Sequence, residues 1–268
     1  MKTLVIDCGM GAAGDMLTAA LLEIVYKNNT EKFTERFNSL GIPGVKMTAE
    51  PGEKQGIKGT HVRVFVKGEE EPMAENIAHH MHGGHRHGHN EDEEHGHHVH
   101  RTIKDVEEII SALDLDDAVK ADAMSVYRII AEAEGEVHGR PAGEVHFHEV
   151  GMMDAIADVT AVCMLMHEIG ADEIIASPVA TGFGSVRCAH GVLPVPAPAT
   201  ANILKGIPAY AGDVEGELCT PTGAALIKHF AQKYSQMPVM STEAIGYGLG
   251  TKDFEKANCI RAFLGESY

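Results

Sequence analysis

The chain has 268 residues, a length that fits one large domain or two smaller ones. Hydrophobic residues make up 44% of it, but aromatic residues only 5% and tryptophan is absent, so aliphatic and methionine side chains must fill the core. There are 22 Lys and Arg residues against 39 Asp and Glu, and the formal charge of −17 excludes nucleic acid and anionic membranes as general partners.

The five cysteines are widely spaced and form no C-x-x-C pair, which disfavours a disulfide framework and a structural zinc finger. Near the N-terminus, Asp7 and Asp15 interrupt the apolar stretch that could otherwise act as a secretion signal. No segment approaches the roughly 18 uncharged apolar residues that a membrane span needs. We therefore expect a cytoplasmic protein with no membrane partner.

The first predicted elements form a strand-turn-helix unit. Residues 3–6 are a short β-branched run, residues 9–14 are a glycine-rich turn, and apolar residues recur at helical spacing over residues 16–25. A second strand is predicted over residues 61–66, after which the composition changes abruptly. Residues 1–68 are therefore predicted to form an N-terminal α/β lobe.

Residues 69–101 are acidic and rich in histidine, and we expect a mobile insert because they contain few apolar residues. Neutral imidazoles suit nickel, zinc, copper and cobalt, and the interspersed acids add charge attraction, so a metal buffer is favoured here. The alternative interpretation is a linker without function. The predicted metal-binding histidines of this tract are His79, His80, His82, His85, His87, His89, His95, His97, His98 and His100.

Order is expected to resume at Thr102, and residues 102–268 are predicted to form a second α/β lobe packed against the first. Thr102 and Asp105 have the spacing of a capping box at the start of a helix. Because strands and helices alternate through most of the chain, the fold class is α/β, with a mixed α+β arrangement as the alternative. Further helices are predicted over residues 116–136, 154–168 and 222–230, and strands over residues 145–150, 174–176 and 258–264.

The sharpest local pattern is the pair His146 and His148. In a strand these side chains point to the same face about 6.6 Å apart, whereas Val145 and Phe147 face the core. Two imidazoles on one face can share a metal ion, and Glu149 follows directly. The alternative is a solvated strand face.

The next predicted helix places Asp154 and Asp158 one turn apart on a common face. These carboxylates could complete or support a site formed by His146 and His148. The alternative is that they only complement the dipole at a helix N-terminus.

The glycine-rich turn between the first strand and helix is similar to a phosphate cradle. It contains Gly11 and Gly14 between Asp7 and Asp15, but no G-K-[ST] sequence, so it is not a P-loop. Asp7 and Asp15 could instead hold a cation or orient a ligand. The alternative interpretation treats the glycines as tight-turn residues and Asp15 as a helix-dipole partner.

Two later segments are typical of site loops. Residues 182–191 supply Cys188 and His190 beside glycines, and residues 217–222 contain Thr220 and Thr222 at the start of a helix. Both loops could meet a phosphorylated ligand. Cys163, by contrast, lies in an apolar helix and is predicted to be core.

Taken together, these motifs resemble one family, the nickel-insertion proteins of nickel-pincer nucleotide cofactor synthesis, known as LarC. The order and spacing of the motifs, over essentially the whole chain, carry the resemblance more than any single motif. The matching segments are residues 7–16, the histidine-rich insert, and residues 131–139, 145–151, 177–178, 190–200, 217–225 and 246–253.

The resemblance implies a cyclometallase, dependent on cytidine triphosphate (CTP), that inserts nickel into a pyridinium bisthiocarboxylate mononucleotide. Nickel-sulfur bonds and a nickel-carbon bond form, and the product serves lactate racemase and related enzymes. The histidine tract would collect nickel and the folded part would present it to the mononucleotide. The implied catalytic residues are His146, His148, Glu149 and Asp154, with His146 and His148 also as metal ligands. The implied cofactor-binding residues are Asp7, Gly11, Gly14, Asp15, His190, Thr220 and Thr222.

Long members of the family continue into a further domain that is associated with triphosphate binding, and this sequence ends at Tyr268. We therefore expect CTP, with magnesium or manganese, to be bound by a separate C-terminal polypeptide, and a homo-oligomer is compatible with the sequence. Two other function classes stay open. A nickel storage or delivery protein would need the histidine tract alone, whereas a metal-dependent hydrolase would need only the His146 and His148 face.

Overall fold

The computed structural model describes residues 1–27, 29–70, 101–147, 152–188 and 191–268. The ten histidines of the predicted insert lie outside the described residues, and so do His148, Glu149 and His190. The predictions made for those residues stay predictions.

The described residues form helices and strands in alternation. The helices are α1 (Gly14–Tyr26), α2 (Thr30–Ser39), α3 (Ile103–Ala112), α4 (Asp117–His138), α5 (Met153–Ile169), α6 (Pro198–Ile203) and α7 (Pro221–Phe230). The strands are β1 (Lys2–Asp7), β2 (Val45–Lys54), β3 (Ile57–Val66), β4 (Glu69–Glu70), β5 (Glu173–Ala176), β6 (Val179–Ala180), β7 (Ser185–Cys188), β8 (Gly191–Pro194), β9 (Ala209–Tyr210), β10 (Lys233–Tyr234), β11 (Met240–Leu249) and β12 (Cys259–Ser267).

One mixed sheet organises the fold. Its order is β10-β5-β1-β12-β11-β3-β2, with β4 paired to β3. Strand β1 runs parallel to β5 and antiparallel to β12. Helices packed on a sheet with both kinds of pairing confirm the α/β class. Strands from both predicted lobes, such as β3 and β11, belong to this same sheet.

Helix α1 lies unusually close to the sheet. Two glycines of β11 permit this approach: a Cβ added at Gly246 would lie 1.9 Å from the carbonyl oxygen of Ala20, and one at Gly248 would lie 1.8 Å from that of Met16. Any side chain at these positions would push the helix away from the strand. The contact fixes where α1 begins relative to the sheet.

Strands β3 and β11 are paired in the sheet through a single parallel residue pair, Gly248 and Thr60. The carboxylate of Glu23, on α1, connects these two strands. One of its oxygens accepts a hydrogen bond from the Thr60 hydroxyl at 2.8 Å, and the other accepts one from the backbone N–H of Tyr247, also at 2.8 Å. A side chain from the helix thus joins two strands that are poorly joined by their own backbones.

Helix α5 is the centre of the core. Of its 17 residues, 13 are buried, as expected for a helix that is apolar on every side. Cys163 is fully buried among them, which confirms its prediction as core. The polar residues Asp154 and Asp158 lie near the start of this helix and are only partly buried.

Two local predictions have different outcomes. The capping box is confirmed: the Thr102 hydroxyl accepts from the N–H of Asp105 at 3.4 Å, and the Asp105 carboxylate accepts from the N–H of Thr102 at 2.6 Å. The strand over residues 145–150 is not seen in its described part, residues 145–147, where Phe147 forms a single bridge to Arg101. The alternation itself holds, because Val145 and Phe147 are buried while His146 is exposed.

Within the described ranges, no helix combines the length and the apolar character that crossing a membrane would require.

Candidate functional site

Several helices begin at one cleft, which has a volume of about 540 Å³. The first turns of α1, α5, α6 and α7 all contribute to its lining, together with β3 and the turn after β11. Helix starts expose unpaired N–H groups and carry the positive end of the helix dipole, so their convergence favours an anionic ligand. The helix-start residues in the lining include Gly14, Asp15, Asp154, Pro198, Thr220 and Thr222.

Backbone hydrogen bonds join the starts of α1 and α7. The N–H of Ala12 donates to the carbonyl oxygen of Leu218 at 3.1 Å, and the N–H of Thr220 donates to the carbonyl oxygen of Ala12 at 3.0 Å. Gly11 makes this possible, because its φ is +85° and a Cβ there would lie 1.9 Å from the Leu218 oxygen. The predicted glycine-rich turn therefore shapes the cleft, although Gly11 itself packs against the neighbouring loop.

Thr220 has a structural part in the cleft. It is the N-cap of α7, and its hydroxyl accepts a hydrogen bond from the N–H of Gly223 at 3.1 Å. Pro221 follows at the first helical position, where the missing N–H costs nothing. The cap keeps the start of α7 in place, and the next threonine, Thr222, lines the cleft beside it.

Three aspartates meet in the cleft at the starts of α1 and α5. Asp15 contributes both its side chain and its backbone, because its N–H donates a hydrogen bond to the carboxylate of Asp158. Gly14 makes room for that carboxylate: a Cβ at Gly14 would lie 2.6 Å from the Cβ of Asp158. Asp154 lies one turn before Asp158 and lines the same cleft.

Burial and mutual repulsion shift the pKa values of these carboxyls upward. Burial raises the pKa of Asp15 to about 6, and the charge of Asp154 adds to the effect, while the backbone N–H groups of Met16 and Asp15 oppose it. Burial also raises the pKa of Asp158 well above its ordinary value, with further contributions from the charges of Asp15 and Asp154. The cleft therefore holds at least one carboxyl, that of Asp15, that can exchange its proton near neutral pH.

Other parts of the cleft lining contribute basic side chains, an imidazole and a thiol. Arg63 of β3 and Lys252, in the turn after β11, both line the cleft. Arg63 forms an ion pair of 3.7 Å with Glu70 and donates from Nε to the Nδ1 atom of His61 at 3.3 Å. The end of α4 contributes Glu134 and His138, whose carboxylate oxygen and Nε2 atom lie 3.5 Å apart, and β7 contributes the thiol of Cys188.

The structure brings together some of the predicted site residues and leaves others apart. Gly14, Asp15, Asp154, Thr220 and Thr222 line the cleft. The remaining described candidates, which are His146, Gly11 and Asp7, do not belong to its lining.

Asp7 and His146 have other surroundings. Asp7 forms an ion pair with Arg261, accepting at 2.9 Å from its Nε atom, and lines a separate cavity of about 590 Å³. His146 is exposed and lies near Asp105, at the start of α3. Hydrogen bonds to Thr102 are the main cause that lowers the pKa of Asp105. In the part of the chain that the structure describes, no three His, Cys, Asp or Glu side chains are arranged to hold a metal ion.

No local sequence pattern predicts Arg63, Lys252 and Glu134 as site residues. Arg63 is a single cation between Val62 and Val64 in a strand, and Lys252 lies in a polar turn, so neither has a local pattern that differs from an ordinary surface residue. Their common feature is position in the fold, because α4, β3 and the turn after β11 meet only after the chain has folded.

Comparison with known proteins gives a consistent family match. The sequence model of a family described as "Nickel insertion protein" matches residues 4–268. Relatives named "Pyridinium-3,5-bisthiocarboxylic acid mononucleotide nickel insertion protein" include one from Clostridium kluyveri, 42% identical over 270 residues, and one from Geobacillus kaustophilus, 39% identical over 267 residues. A third, from Staphylococcus saprophyticus, is 38% identical over 259 residues.

These matches cover nearly all of this chain but only part of each relative. The match to the Clostridium kluyveri protein covers 99% of this chain and 62% of the relative. The corresponding shares are 99% and 60% for the Geobacillus kaustophilus protein, and 97% and 59% for the Staphylococcus saprophyticus protein. The chain thus spans about three fifths of their length. No solved structure matches the chain.

Proposed function

Because the chain belongs to the nickel insertion protein family, we propose that it inserts nickel into a pyridinium-3,5-bisthiocarboxylic acid mononucleotide and that the cleft described above is where this happens. Nickel and the mononucleotide are the two substrates. The observation that carries the proposal is the convergence of helix starts and cations on a cavity of about 540 Å³. Small-molecule sites commonly have volumes of roughly 300–1,000 Å³.

The charges of the cleft match those of the mononucleotide. Its phosphate and thiocarboxylate groups are anionic, and they suit the start of α7, which carries no acidic residue, together with Arg63 and Lys252. Its pyridinium ring is cationic and suits the carboxylate of Asp15. A cleft that offers both kinds of charge would orient the ring as well as bind it.

Nickel reaches the cleft from the histidine tract in this proposal. Imidazoles bind nickel reversibly, and the sulfur atoms of the mononucleotide can replace them as ligands. His146, His148 and Glu149 would take part in the transfer as metal or base groups. Replacing His146 and His148 by alanine together should slow insertion while the protein still unfolds cooperatively. An unchanged insertion rate would exclude a role for His146 and His148 in the transfer.

We place the dependence on CTP, with magnesium or manganese, in a further domain that acts with this chain, either as part of the same protein or as a separate polypeptide. Two facts support this: the relatives are longer than the matched region, and the sequence contains no P-loop. The carboxylates of the cleft also oppose a triphosphate. None of the five cysteines, all of which lie in the described part of the chain, forms a disulfide bond, as expected if the reaction takes place in the cytoplasm.

The test is to follow nickel insertion optically with the chain, mononucleotide, nickel, CTP and magnesium, with and without the further domain of a relative. The informative variant is Arg63→Met, and its matched control is Arg128→Met, because Arg128 is exposed on α4 and does not line the cleft. Arg63→Met should raise KM for the mononucleotide roughly 10- to 100-fold, since a charge-assisted hydrogen bond contributes about 1.5–3 kcal/mol. Equal KM values for the two variants would place the mononucleotide elsewhere.

A further inference from the structure

We propose that Asp158 accepts the proton that the pyridinium ring carbon loses when the nickel-carbon bond forms. This inference rests on the function proposed above and assigns one chemical step within it. Metallation of a ring carbon replaces a C–H bond, so some group has to remove the proton.

The surroundings of Asp158 leave one of its oxygens available. Its carboxylate accepts a hydrogen bond from the backbone N–H of Asp15, yet its Oδ1 atom is buried and has no hydrogen-bond partner in the described part of the chain. A buried carboxylate oxygen without a partner costs free energy, so such an atom calls for an explanation in function. Asp158 also lines the cleft, which places the carboxylate at the proposed substrate.

The position of this carboxylate is fixed from one side by α1. Gly14 lies directly against it, and a Cβ at Gly14 would be 2.7 Å from Oδ2 and 2.6 Å from Cβ of Asp158. The absence of a side chain at Gly14 therefore lets α1 and α5 approach and hold the carboxylate between them. A base held in one place by rigid elements is what efficient proton transfer needs.

Three acidic groups lie near Asp158. They are Asp15 on α1, Asp154 on its own helix, and Tyr127 on α4, whose fully buried hydroxyl also has no hydrogen-bond partner in the described part of the chain. Burial raises the pKa of Asp158 most, and the charges of Asp15 and Asp154 raise it further, while the backbone N–H of Asp15 opposes the shift. Asp158 thus binds a proton more tightly than an exposed carboxylate would.

Asp15 is less suited to the step. Backbone N–H groups of Met16 and of Asp15 itself donate to its carboxylate, so its negative charge is already compensated by the start of α1. That compensation weakens it as a base, because the N–H groups oppose the rise in its pKa, which burial brings to about 6. Asp15 instead fixes the orientation of Asp158 through its own backbone N–H.

The step balances without any redox partner. The ring C–H bond breaks, its electron pair forms the bond to nickel, and the proton passes to Oδ1 of Asp158. Nickel stays divalent throughout, and the thiocarboxylate sulfur atoms are already part of the mononucleotide. The protonated carboxyl then releases its proton to water before the next turnover.

The experiment compares Asp158→Asn with the unmodified chain in the insertion assay described above. Asparagine keeps the shape and can still accept from the N–H of Asp15, so the fold and the affinity for mononucleotide should persist. The single-turnover insertion rate at saturating mononucleotide should fall by a factor of roughly 10² to 10⁴, the usual range for a general base. The control is Asp172→Asn, a replacement remote from the cleft in which a carboxylate accepts from the N–H of Lys2 at 2.9 Å.

The outcomes separate the two proposals. If the unmodified chain neither binds mononucleotide nor supports insertion, the proposed function is wrong. If it does both, and Asp158→Asn inserts nickel at the same rate, Asp158 is not the proton acceptor. Loss of mononucleotide affinity in that variant would likewise overturn the inference, because Asp158 would then be a binding residue.

A second measurement tests the proposal even if Asp158→Asn fails to fold. In the unmodified chain the insertion rate should rise with pH as Asp158 loses its proton, and Asp158→Glu should keep such a dependence with a shifted midpoint. A rate that stays constant between about pH 5 and pH 9 would contradict a titrating carboxyl as the base.

Discussion

Gly223, the third residue of α7, lies directly against the backbone of Ala12, and a Cβ added at Gly223 would be 2.0 Å from the Ala12 carbonyl oxygen. That same oxygen accepts the hydrogen bond from the N–H of Thr220. One glycine thus lets two helix starts meet at the cleft, although a glycine inside a helix normally lowers its stability.

Gly223→Ala should therefore weaken both the fold and the cleft. Overpacking of a tight contact typically costs about 1–3 kcal/mol, and here it must separate the starts of α1 and α7. Urea unfolding would measure the loss of stability, and a titration would measure affinity for the mononucleotide. Gly143→Ala is the control, because a Cβ at Gly143 meets nothing within 4 Å. Equal stability of the two variants would mean that the contact relaxes freely.

A carboxylate that joins three helices gives the next prediction. The two oxygens of Asp122, on α4, lie 2.7 Å from Nε2 of His167 on α5 and 2.8 Å from Nε2 of His229 on α7. Asp122→Ala should lower the free energy of unfolding by about 1–3 kcal/mol, because both imidazoles lose their partner. Thermal unfolding would show it, with Glu132→Ala on the exposed side of α4 as the control. If the two variants have the same melting temperature, the stability of the fold does not depend on the contacts of Asp122 with His167 and His229.

The cleft carboxyls predict how stability depends on pH. Asp15 and Asp158 have raised pKa values in the folded protein, so the folded state binds their protons more tightly than the unfolded chain does. Their contribution to stability is fully present below about pH 4. For Asp15 it is lost as the pH rises through about 6, and for Asp158 as the pH rises through its own raised pKa.

Asp15→Asn should remove part of this loss. Its free energy of unfolding, measured in urea, should exceed that of the unmodified chain at about pH 8 and approach it at about pH 4. Asp117→Asn, outside the cleft lining at the start of α4, controls for the change of one charge. A variant less stable than the unmodified chain at the higher pH would show that the Asp15 carboxylate stabilises the fold.

The histidine tract predicts several nickel ions bound in competition with protons. Imidazoles have an ordinary pKa of roughly 6.5, so nickel binding should weaken between about pH 8 and pH 6. Calorimetric titration should show fewer nickel ions per chain after deletion of residues 73–100, which leaves the bridge between Arg101 and Phe147 in place. A variant of full length with the ten histidines replaced by glutamine controls for chain length. An unchanged stoichiometry would exclude the tract as the nickel store.

Much of the fold could be predicted where local signals agree with the global structure. The strand, glycine turn and helix at the N-terminus, the capping box at Thr102 and the buried helix α5 all have strong local patterns. Strand β11 was missed because Gly246 and Gly248 are poor strand residues, and only the approach of α1 explains them. Helix α2 was missed because its apolar side rests on few residues, chiefly Phe33 and Phe37.

The candidate site could be predicted only in part for the same reason. Asp15, Asp154 and Thr222 are recognisable because they stand at helix starts, which have a sequence signature. Arg63 and Lys252 have no such signature, and their membership of the cleft depends on how distant strands and turns pair. Local chemistry can be inferred from neighbours in sequence, whereas a shared cavity requires the topology.

The lining of the cleft runs from Ala13 to Asn258, so almost every part of the fold has to be in place before it exists. Such a site cannot be occupied by a partly unfolded chain. A ligand held there therefore acts as a thermodynamic reporter on the entire domain: at a concentration 100 times its Kd it should stabilise the chain by about 2.7 kcal/mol. Substitutions far from the cleft that destabilise the fold will lower apparent affinity without touching the ligand, and binding data on variants should be compared at equal fractions of folded protein.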